Sequence, residues 1–367
     1  MASIQKRGKT YQYTVSHVVN GVSKPIRKGG FKTKKEAQVA AAEIETQLSK
    51  GILPHLKPAP IDEYFENWVK LYKRNLSTTT LLHYDYTLKA IREHFGSKPL
   101  QEIRRHDYQL FLNEFGANKS RETVEKVNTH IRSMVQDALE EGIIHLDFTR
   151  KAVLTWTVPA KKPEDKHLNY VETKHLKNAV YKLLDQGLGY YLILLALTSG
   201  VRFGELVGLT RKDFDFINNT ILIEKTWGYM KRSPEGFGPP KNNASHRIIK
   251  IDEKTINAFR RLFETSPPNM YQLVFYSPQS MYKVISNTNA NKLLLKTLTE
   301  LGINPITMHG LRHTHASVLL YKKISINYVS ERLGHKDIDT TYKYYSHVLK
   351  ELREEDEKKT VDTFEDM

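Results

Sequence analysis

The alternation of apolar and polar residues predicts a small β-sheet and one helix at the start of the chain. Residues 11–19 alternate and are rich in aromatic and β-branched side chains, which is the pattern of a strand. Asn20-Gly21 follows, and both residues accept the positive φ of a hairpin turn. Thr33 suits the N-cap of a helix over residues 34–48, because apolar side chains share one face of it. That face comprises Ala37, Ala40, Ala41, Ile44 and Leu48.

A helical period replaces this alternation from residue 61 to about residue 155. Apolar side chains then recur every three or four residues, and Gly96 and Gly142 stand where helices are expected to end. Residues 51–60 are rich in proline and residues 158–166 are polar with proline, so both are predicted linkers. The predicted helices between them are Ile61–Arg74, Thr78–Phe95, Leu110–Phe115 and Ser120–Glu141.

The rest of the chain mixes strands with helices. Residues 220–225 and 247–251 are predicted strands that enclose a loop carrying Lys241. Thr173 is a candidate cap for a helix that continues to Leu184.

Three further helix boundaries can be predicted in this region. An apolar helix ends at Gly200, Thr307 is a plausible N-cap, and a helix from Ser325 ends at Gly334. The pattern as a whole predicts a multidomain, mainly α protein. It has a small β-sheet plus helix module, an all-helical domain and a mixed α+β domain.

Composition narrows the class of protein. The chain has 56 basic and 41 acidic side chains, a formal charge of +15 that suits a nucleic-acid partner. It contains no cysteine, which excludes a disulfide scaffold, a cysteine nucleophile and a thiolate metal site. No apolar run approaches the ~20 residues of a membrane span, and the charged N-terminus lacks the apolar stretch of a signal peptide. We therefore expect a soluble cytoplasmic protein.

The charge is unevenly distributed along the chain. Residues 1–60 carry 11 basic and 3 acidic side chains, whereas residues 61–158 carry 14 of each. Residues 350–367 carry 4 basic and 8 acidic side chains. The first module is therefore the better candidate for a DNA-binding surface, because lysine and arginine can hold phosphates while a small sheet lies in a groove.

Four segments of the last domain concentrate arginine, histidine, lysine and tyrosine. Arginine matches two phosphate oxygens with its planar fork, and tyrosine can form a covalent phosphoryl intermediate. Charge builds on the non-bridging oxygens of a phosphodiester during cleavage, so this set points to DNA strand cleavage. The residues are Arg202 with Glu205 three positions on, Lys241, His309 with Arg312, and His335 followed by Tyr345.

Neither a metal nor a nucleotide cofactor is predicted. His313 and His315 stand close to His309 in the sequence, but no His-Glu-x-x-His motif and no acidic residue within six positions accompany them. The chain also lacks a Walker-type phosphate loop.

The ordered set Arg…Lys…His-x-x-Arg…Leu-Gly-His…Tyr-x-His resembles the tyrosine recombinase (phage integrase) family over residues 165–349. The earlier parts resemble the arm-binding and core-binding domains of integrases from phages, conjugative transposons or genomic islands. The resemblance implies an arm-type DNA-binding domain at 1–50, a helical core-binding domain at 61–157 and a catalytic domain at 167–349. The tail 350–367 is a possible inter-subunit contact.

The resemblance also implies a role for each site residue. Tyr345 would attack the scissile phosphate and form a 3′-phosphotyrosyl bond, and its neighbour Tyr344 is the alternative nucleophile. Lys241 would protonate the leaving 5′-hydroxyl, with Lys231 nearby as an alternative. The other implied roles are phosphate binding by Arg202, Arg312 and His335, phosphate binding or proton transfer by His309, and orientation of Arg202 by Glu205.

Double-stranded DNA with core and arm sites is the implied partner, bound by a homotetramer that joins two duplexes. An excisionase and a host DNA-bending protein are further possible partners, and the active protein would be associated with the nucleoid. The expected DNA contacts of the first module are Lys6, Arg7, Lys9, Arg27, Lys28 and Lys32. Two alternatives stay open: relaxation of DNA in the manner of a type IB topoisomerase, and a non-catalytic DNA-binding regulator on the same fold.

Overall fold

The chain forms two units, residues 1–160 and residues 161–367, in a computed structural model. The structure describes residues 2–19, 22–49, 58–160, 163–229 and 236–342, and beyond these only Tyr345, Glu357, Val361 and Glu365.

The first part of unit one is a three-stranded antiparallel sheet with one helix. Strand β1 is Ser3–Arg7, β2 is Thr10–Val15, β3 is Val18–Val19, β4 is Val22–Ser23 and β5 is Ile26–Phe31. The sheet order is β1-β2-β5, while β3 pairs with β4. Helix α1, Lys34–Ser49, packs its alanine face against the sheet, and Thr33 caps it through the Glu36 backbone N–H at 3.2 Å.

The strand predicted for residues 11–19 is in fact two strands. The chain leaves the three-stranded sheet after Val15, and Val18–Val19 then pairs as a short ribbon with Val22–Ser23. The alternating pattern continues through the break because it records which face is apolar and not which strand is the partner. The predicted turn at Asn20-Gly21 lies outside the described residues.

Four helices make up the remainder of unit one. Helix α2 is Ile61–Tyr72, α3 is Thr78–Phe95, α4 is Arg105–Gly116 and α5 is Arg121–Glu140. Apolar residues from all four form a single buried cluster, and Gly96 and Gly142 have the positive φ values of 55° and 69° that suit helix ends.

Helix α4 begins five residues before the Leu110 start that the apolar period predicts. Its first turn is polar and is fixed by a cap, in which the Arg104 N–H donates to the Asp107 carboxylate at 2.9 Å. The spacing of apolar residues does not reveal such a turn, because the residues of the turn are polar.

Unit two surrounds a central apolar helix. Helix α6 is Tyr170–Lys182, α7 is Leu188–Ser199, α8 is Phe203–Val207, α9 is Glu253–Thr265, α10 is Asn287–Glu300, α11 is Met308–Tyr321 and α12 is Ile326–Leu333. Between α8 and α9 lie strands β6 (Phe214–Asp215), β7 (Thr220–Ile223), β8 (Thr226–Trp227), β9 (Phe237–Gly238) and β10 (Arg247–Lys250). The sheets are β10-β7-β6 and β8-β9, and residues 192–197 of α7 are all buried.

The cap of α6 differs from the prediction. Asn169 caps this helix, not Thr173, because its side chain accepts from the Glu172 N–H while Glu172 accepts from the Asn169 N–H, each at 2.9 Å. Thr173 lies within the first turn and donates its hydroxyl to the Asn169 carbonyl. The reciprocal pair satisfies two free N–H groups and is the stronger cap.

The predicted fold class is confirmed, since the chain is mainly helical with small sheets. Within the described ranges, no helix is both long and apolar enough to cross a membrane.

Candidate active site

The junction between α7 and α8 positions Arg202. Helix α7 ends at Gly200, whose φ of 68° and close neighbours require glycine: a Cβ there would lie 2.7 Å from the His315 ring. Arg202 is then the N-cap of α8, and its N–H donates to the Glu205 carboxylate at 3.2 Å.

Three acceptors fix the Arg202 guanidinium. Nη1 donates to Glu205 Oε1 at 2.9 Å and to Ser245 Oγ at 3.1 Å, and Nη2 donates to the Gly334 carbonyl at 2.7 Å. Glu205 is only 1% exposed, and its second oxygen accepts from Arg247 Nη2 at 3.0 Å. One buried carboxylate therefore orients two arginines, and the position predicted for Glu205 beside Arg202 is the one it occupies.

Arg312 is buried with a free donor. It is 4% exposed, and its Nη1 donates to the Gly200 carbonyl at 2.8 Å. Within the described residues its Nη2 has no hydrogen-bond partner. Burial lowers the pKa of Arg312 to about 9, helped by the charge of Arg202, yet the group stays cationic at neutral pH. A buried cation with an unused donor is expected to bind an anion.

Both predicted histidines lie beside the arginines. His309 precedes Arg312 by one turn of α11, and its pKa is lowered by desolvation and then by the charges of Arg312 and Arg202. Burial lowers the pKa of His335 to about 3, again with Arg312 and Arg202 contributing. His335 Nδ1 is 2.6 Å from Thr341 Oγ1. Both rings are therefore neutral at pH 7 and can offer an N–H to an anion without carrying a charge.

Gly334 brings the His335 segment against the strand loop. This residue ends α12 with a φ of 67°, and a Cβ there would lie 2.9 Å from the Ala244 carbonyl. Close approach and left-handed backbone together explain glycine at this position.

Tyr345 comes to the site from the same chain. Tyr345 is 2% exposed and belongs to one buried apolar cluster with Ala316 of α11 and Leu333 of α12. Its hydroxyl is 2.8 Å from Nδ1 of His313, and it is close enough to Arg312 to affect the pKa of that group. Tyr344 lies outside the described residues.

Lys241 is the one predicted catalytic residue for which the described part of the chain shows no side-chain contact with the other site residues. Its side chain is exposed on the loop between β9 and β10. The base of that loop is nevertheless anchored to the site, because Ser245 Oγ donates to Asn242 Oδ1 at 2.7 Å and accepts from Arg202. Lys231, the alternative, lies outside the described residues.

Sequence reasoning missed three residues of the site. Ser245 and Arg247 hold Arg202 and Glu205, and Arg247 also donates to the Arg332 carbonyl at 2.7 Å. His313 contacts Tyr345. The Ser-x-Arg spacing at the end of the Lys241 loop was the only available signal for the first two. Nothing in the sequence distinguishes His313 from its neighbours.

His315 makes the fold sensitive to acid. Its Nδ1–H donates to the Leu197 carbonyl at 2.9 Å, and its Nε2 accepts from Arg332 Nε at 3.0 Å. A second proton would therefore have to enter at Nε2, against an arginine donor. Burial, with the charge of Arg332, lowers the pKa of His315 to about 3 from its ordinary 6.5.

We expect stability to fall as the pH drops below 6.5, because the unfolded state then binds a proton that the folded state refuses. Two pH units below that value, His315 is expected to lower the free energy of unfolding by about 2–3 kcal/mol. Urea unfolding of the wild type and of His315→Asn at pH 7 and at about pH 4.5 measures it. At pH 7 the variant should be less stable than the wild type, but its free energy of unfolding should fall less between the two pH values. An equal fall in both proteins would contradict the role of His315.

The site contains two arginines, two neutral histidines and a buried tyrosine. The arginines and histidines can bind a phosphodiester, and the tyrosine can act as the nucleophile.

Models of known families match most of the chain. The phage integrase family matches residues 168–351, an arm DNA-binding domain matches residues 3–48, and the phage integrase N-terminal SAM-like domain matches residues 61–116.

Individual proteins are similar over most of the chain. The integrase of Staphylococcus phage L54a is 28% identical over 348 residues, covering 86% of this chain and 97% of that protein. A structure of the Tn1549 transposon integrase with circular intermediate DNA has a TM-score of 0.64 at 17% identity, covering 78% of this chain and 95% of that one. A structure of a lambda integrase tetramer bound to a Holliday junction has a TM-score of 0.57 at 16% identity, covering 91% of this chain and 95% of that one. At these identities the two structures establish the fold.

The chain belongs to the phage integrase family, whose model spans half of its length. Its relatives are integrases and tyrosine recombinases, so it is a site-specific recombinase, an enzyme that breaks and rejoins DNA strands. The predicted family and enzyme class are confirmed.

Proposed function

We propose that this recombinase cuts DNA through a 3′-phosphotyrosyl bond to Tyr345 and thereby integrates and excises a mobile genetic element. The observation that carries the proposal is that a buried tyrosine, Tyr345, lies near Arg312, whose Nη2 donor is unused within the described residues. The relatives from phage L54a and Tn1549 belong to a phage and a transposon, which supports the mobile element.

Each side chain of the site has a separate task in the proposed cleavage reaction. Arg202 and Arg312 bind the two non-bridging oxygens, where negative charge builds during attack. His309 and His335 donate neutral N–H groups to the same oxygens. The Tyr345 oxygen attacks phosphorus, the bond to the 5′-oxygen breaks, and Lys241 gives that oxygen its proton. An exposed lysine suits this role if bound DNA draws the Lys241 loop inward over its anchored base.

A phosphotyrosyl diester retains the energy of the bond that was broken. The 5′-hydroxyl of a second strand can therefore attack it, release Tyr345 and restore a phosphodiester, with no nucleotide cofactor.

The first module is proposed to bind arm sites through one face of its sheet. Residues directly opposite each other on paired strands share a face. Arg7 is opposite Thr10 and Arg27 is opposite Thr14, on the side of β2 away from the buried Tyr13. These two arginines therefore project from the face that α1 leaves open.

The other four expected contacts are placed differently, although all six side chains are exposed. Lys6 and Lys28 lie on the helix side of the sheet, since they are opposite Tyr11 and Tyr13. Lys9 lies in the turn after β1, and Lys32 follows β5. A duplex lying on the open face would meet the two arginines first.

Replacing Arg7 and Arg27 together by alanine should weaken arm-site binding and lower the magnitude of its salt slope by ~2, about one unit for each lost phosphate contact. Filter binding over a series of salt concentrations measures both. The matched double variant Lys6→Ala/Lys28→Ala should alter the slope less, and cleavage of a core site should be unchanged in both. An equal effect of the two pairs would contradict the proposed face.

The helical domain, residues 61–157, is proposed to bind the core site. Its charges are balanced overall, so binding requires a local positive surface. Lys73 and Lys126 supply one around His130, whose pKa is lowered to about 4 by burial first and then by nearby groups that include these two lysines. Residues 51–60 and 158–166 would link this domain to its neighbours.

The lambda integrase tetramer on a Holliday junction supports a homotetramer as the working assembly. The acidic tail 350–367 would contact a neighbouring subunit, and the protein would act at the bacterial nucleoid with an excisionase and a host DNA-bending protein. A suicide duplex that carries the core site and loses its 5′-hydroxyl fragment on cleavage tests the whole proposal. We expect a covalent complex attached to the 3′ end; cleavage that leaves no such complex would contradict it.

A further inference from the structure

His313 is the histidine that touches the attacking atom. Its Nδ1 lies 2.8 Å from the Tyr345 hydroxyl, with the two rings 5.8 Å apart between centroids. The ring of His309, the histidine of the His-x-x-Arg motif, lies nearly perpendicular to the His313 ring at a centroid distance of 4.7 Å. The hydroxyl that loses a proton in the reaction is therefore in hydrogen-bond contact with His313.

This contact can transfer a proton. A neutral imidazole that carries its hydrogen on Nε2 has a free lone pair on Nδ1, which accepts from the phenol. A phenol has an ordinary pKa near 10 and attacks poorly as a neutral group, so its proton must leave as the bond to phosphorus forms. The distance of 2.8 Å is within the range that general-base catalysis requires.

We propose that His313 is the general base that accepts the proton of Tyr345 during strand cleavage and returns it during rejoining. This inference rests on the proposed function of Tyr345 as the nucleophile. In the forward step the Tyr345 proton moves to Nδ1, the tyrosine oxygen bonds to phosphorus, and the bond to the 5′-oxygen breaks. That oxygen takes its proton from Lys241, so one proton is accepted and one is donated on opposite sides of the phosphate.

The charges around His313 make its pKa depend on whether DNA is bound. Burial lowers the pKa of His313 to about 4, with His309, Arg312, His167 and Lys166 contributing; Tyr345 and His335 also face the ring. The ring is therefore unprotonated and able to accept before DNA arrives. A phosphodiester bound to Arg312 offsets part of this positive field and raises the pKa of His313, which makes it a stronger base only when substrate is present.

The test uses the full-length protein and single-turnover cleavage of the suicide duplex. His313→Asn places an amide near the position of Nδ1, so a hydrogen bond to Tyr345 is retained while proton transfer is lost. We expect cleavage ~10²-fold slower at pH 7, within the range for general-base catalysis, and a rate that rises with pH further than in the wild type. His175→Asn, an exposed histidine of α6, is the matched control and should cleave at the wild-type rate.

A second substrate separates the base from the acid. A duplex with sulfur in place of the bridging 5′-oxygen has a leaving group that needs no proton, so it should restore cleavage by Lys241→Ala but not by His313→Asn. His313→Ala with added imidazole gives an independent readout, and partial rescue is expected. Circular dichroism melting confirms that each variant is folded.

The outcomes distinguish the two levels of the account. A wild-type protein that forms no covalent complex contradicts the proposed function and His313 with it. Two results contradict the role of His313 alone, given a wild type that cleaves. One is a His313→Asn variant that cleaves at the wild-type rate. The other is a His313→Asn variant whose cleavage the sulfur substrate restores, as it restores that of Lys241→Ala.

Discussion

Replacing Tyr345 by phenylalanine should abolish the covalent complex with DNA, lowering the cleavage rate by ~10⁴-fold or more because no other group takes over a lost nucleophile efficiently. The fold should survive, since the ring keeps its place in the buried cluster with Ala316 and Leu333 and only the hydroxyl is lost. The missing hydrogen bond to His313 costs about 1 kcal/mol. Gel separation of the protein from labelled suicide DNA under denaturing conditions measures the complex.

Tyr344→Phe is the matched control, because it removes a hydroxyl from the adjacent residue, which is the other candidate nucleophile. We expect it to form the complex at the wild-type rate. Loss of the complex in Tyr344→Phe with retention in Tyr345→Phe would reverse the assignment.

Replacing Arg312 by alanine should lower the cleavage rate by ~10³-fold, at the upper end of what loss of one oxyanion donor costs. Arg312 is buried, is held only through Nη1 within the described residues, and keeps Nη2 available for a phosphate oxygen. The charge acts in a site from which water is largely excluded, so its effect is weakly screened. Arg312→Lys should recover little of the rate, since an ammonium cannot reach the Gly200 carbonyl and a phosphate in the same geometry.

Arg260→Ala provides the comparison for Arg312. Arg260 is exposed on α9 and donates to the Phe216 carbonyl, so its loss removes a charge from the same domain away from the site. Cleavage within about twofold of the wild type is expected, as for a typical surface substitution. If Arg312→Ala retained a similar rate while folded, the phosphate-clamp assignment would fail.

The helices of this protein were largely predictable because their boundaries depend on local chemistry. Helix α3 runs from Thr78 to Phe95 as predicted, and Gly200 and Gly334 end α7 and α12 in left-handed backbone. The errors arose where a boundary depends on a partner. Asn169 outcompetes Thr173 through its reciprocal bond with Glu172, and the strand break after Val15 depends on which strand pairs with it.

The site was predictable only for residues that chemistry itself requires. Charge and nucleophilicity, together with the ordered family motif, point to Arg202, Arg312 and Tyr345, and the structure brings all three together. Ser245, Arg247 and His313 act by touching those residues, and such contacts form between segments that are far apart in the sequence. A single sequence carries no information about which distant segments meet.

The central claim is that Tyr345 makes the bond to DNA, and the most direct measurement identifies the modified residue itself. The covalent complex is trapped on the suicide duplex, digested with nuclease and trypsin, and the peptide that retains a nucleotide is sequenced by mass spectrometry. The account predicts a nucleotide joined through its 3′-phosphate to Tyr345. A nucleotide on Tyr344 or on any other residue, or one joined through a 5′-phosphate, would contradict it.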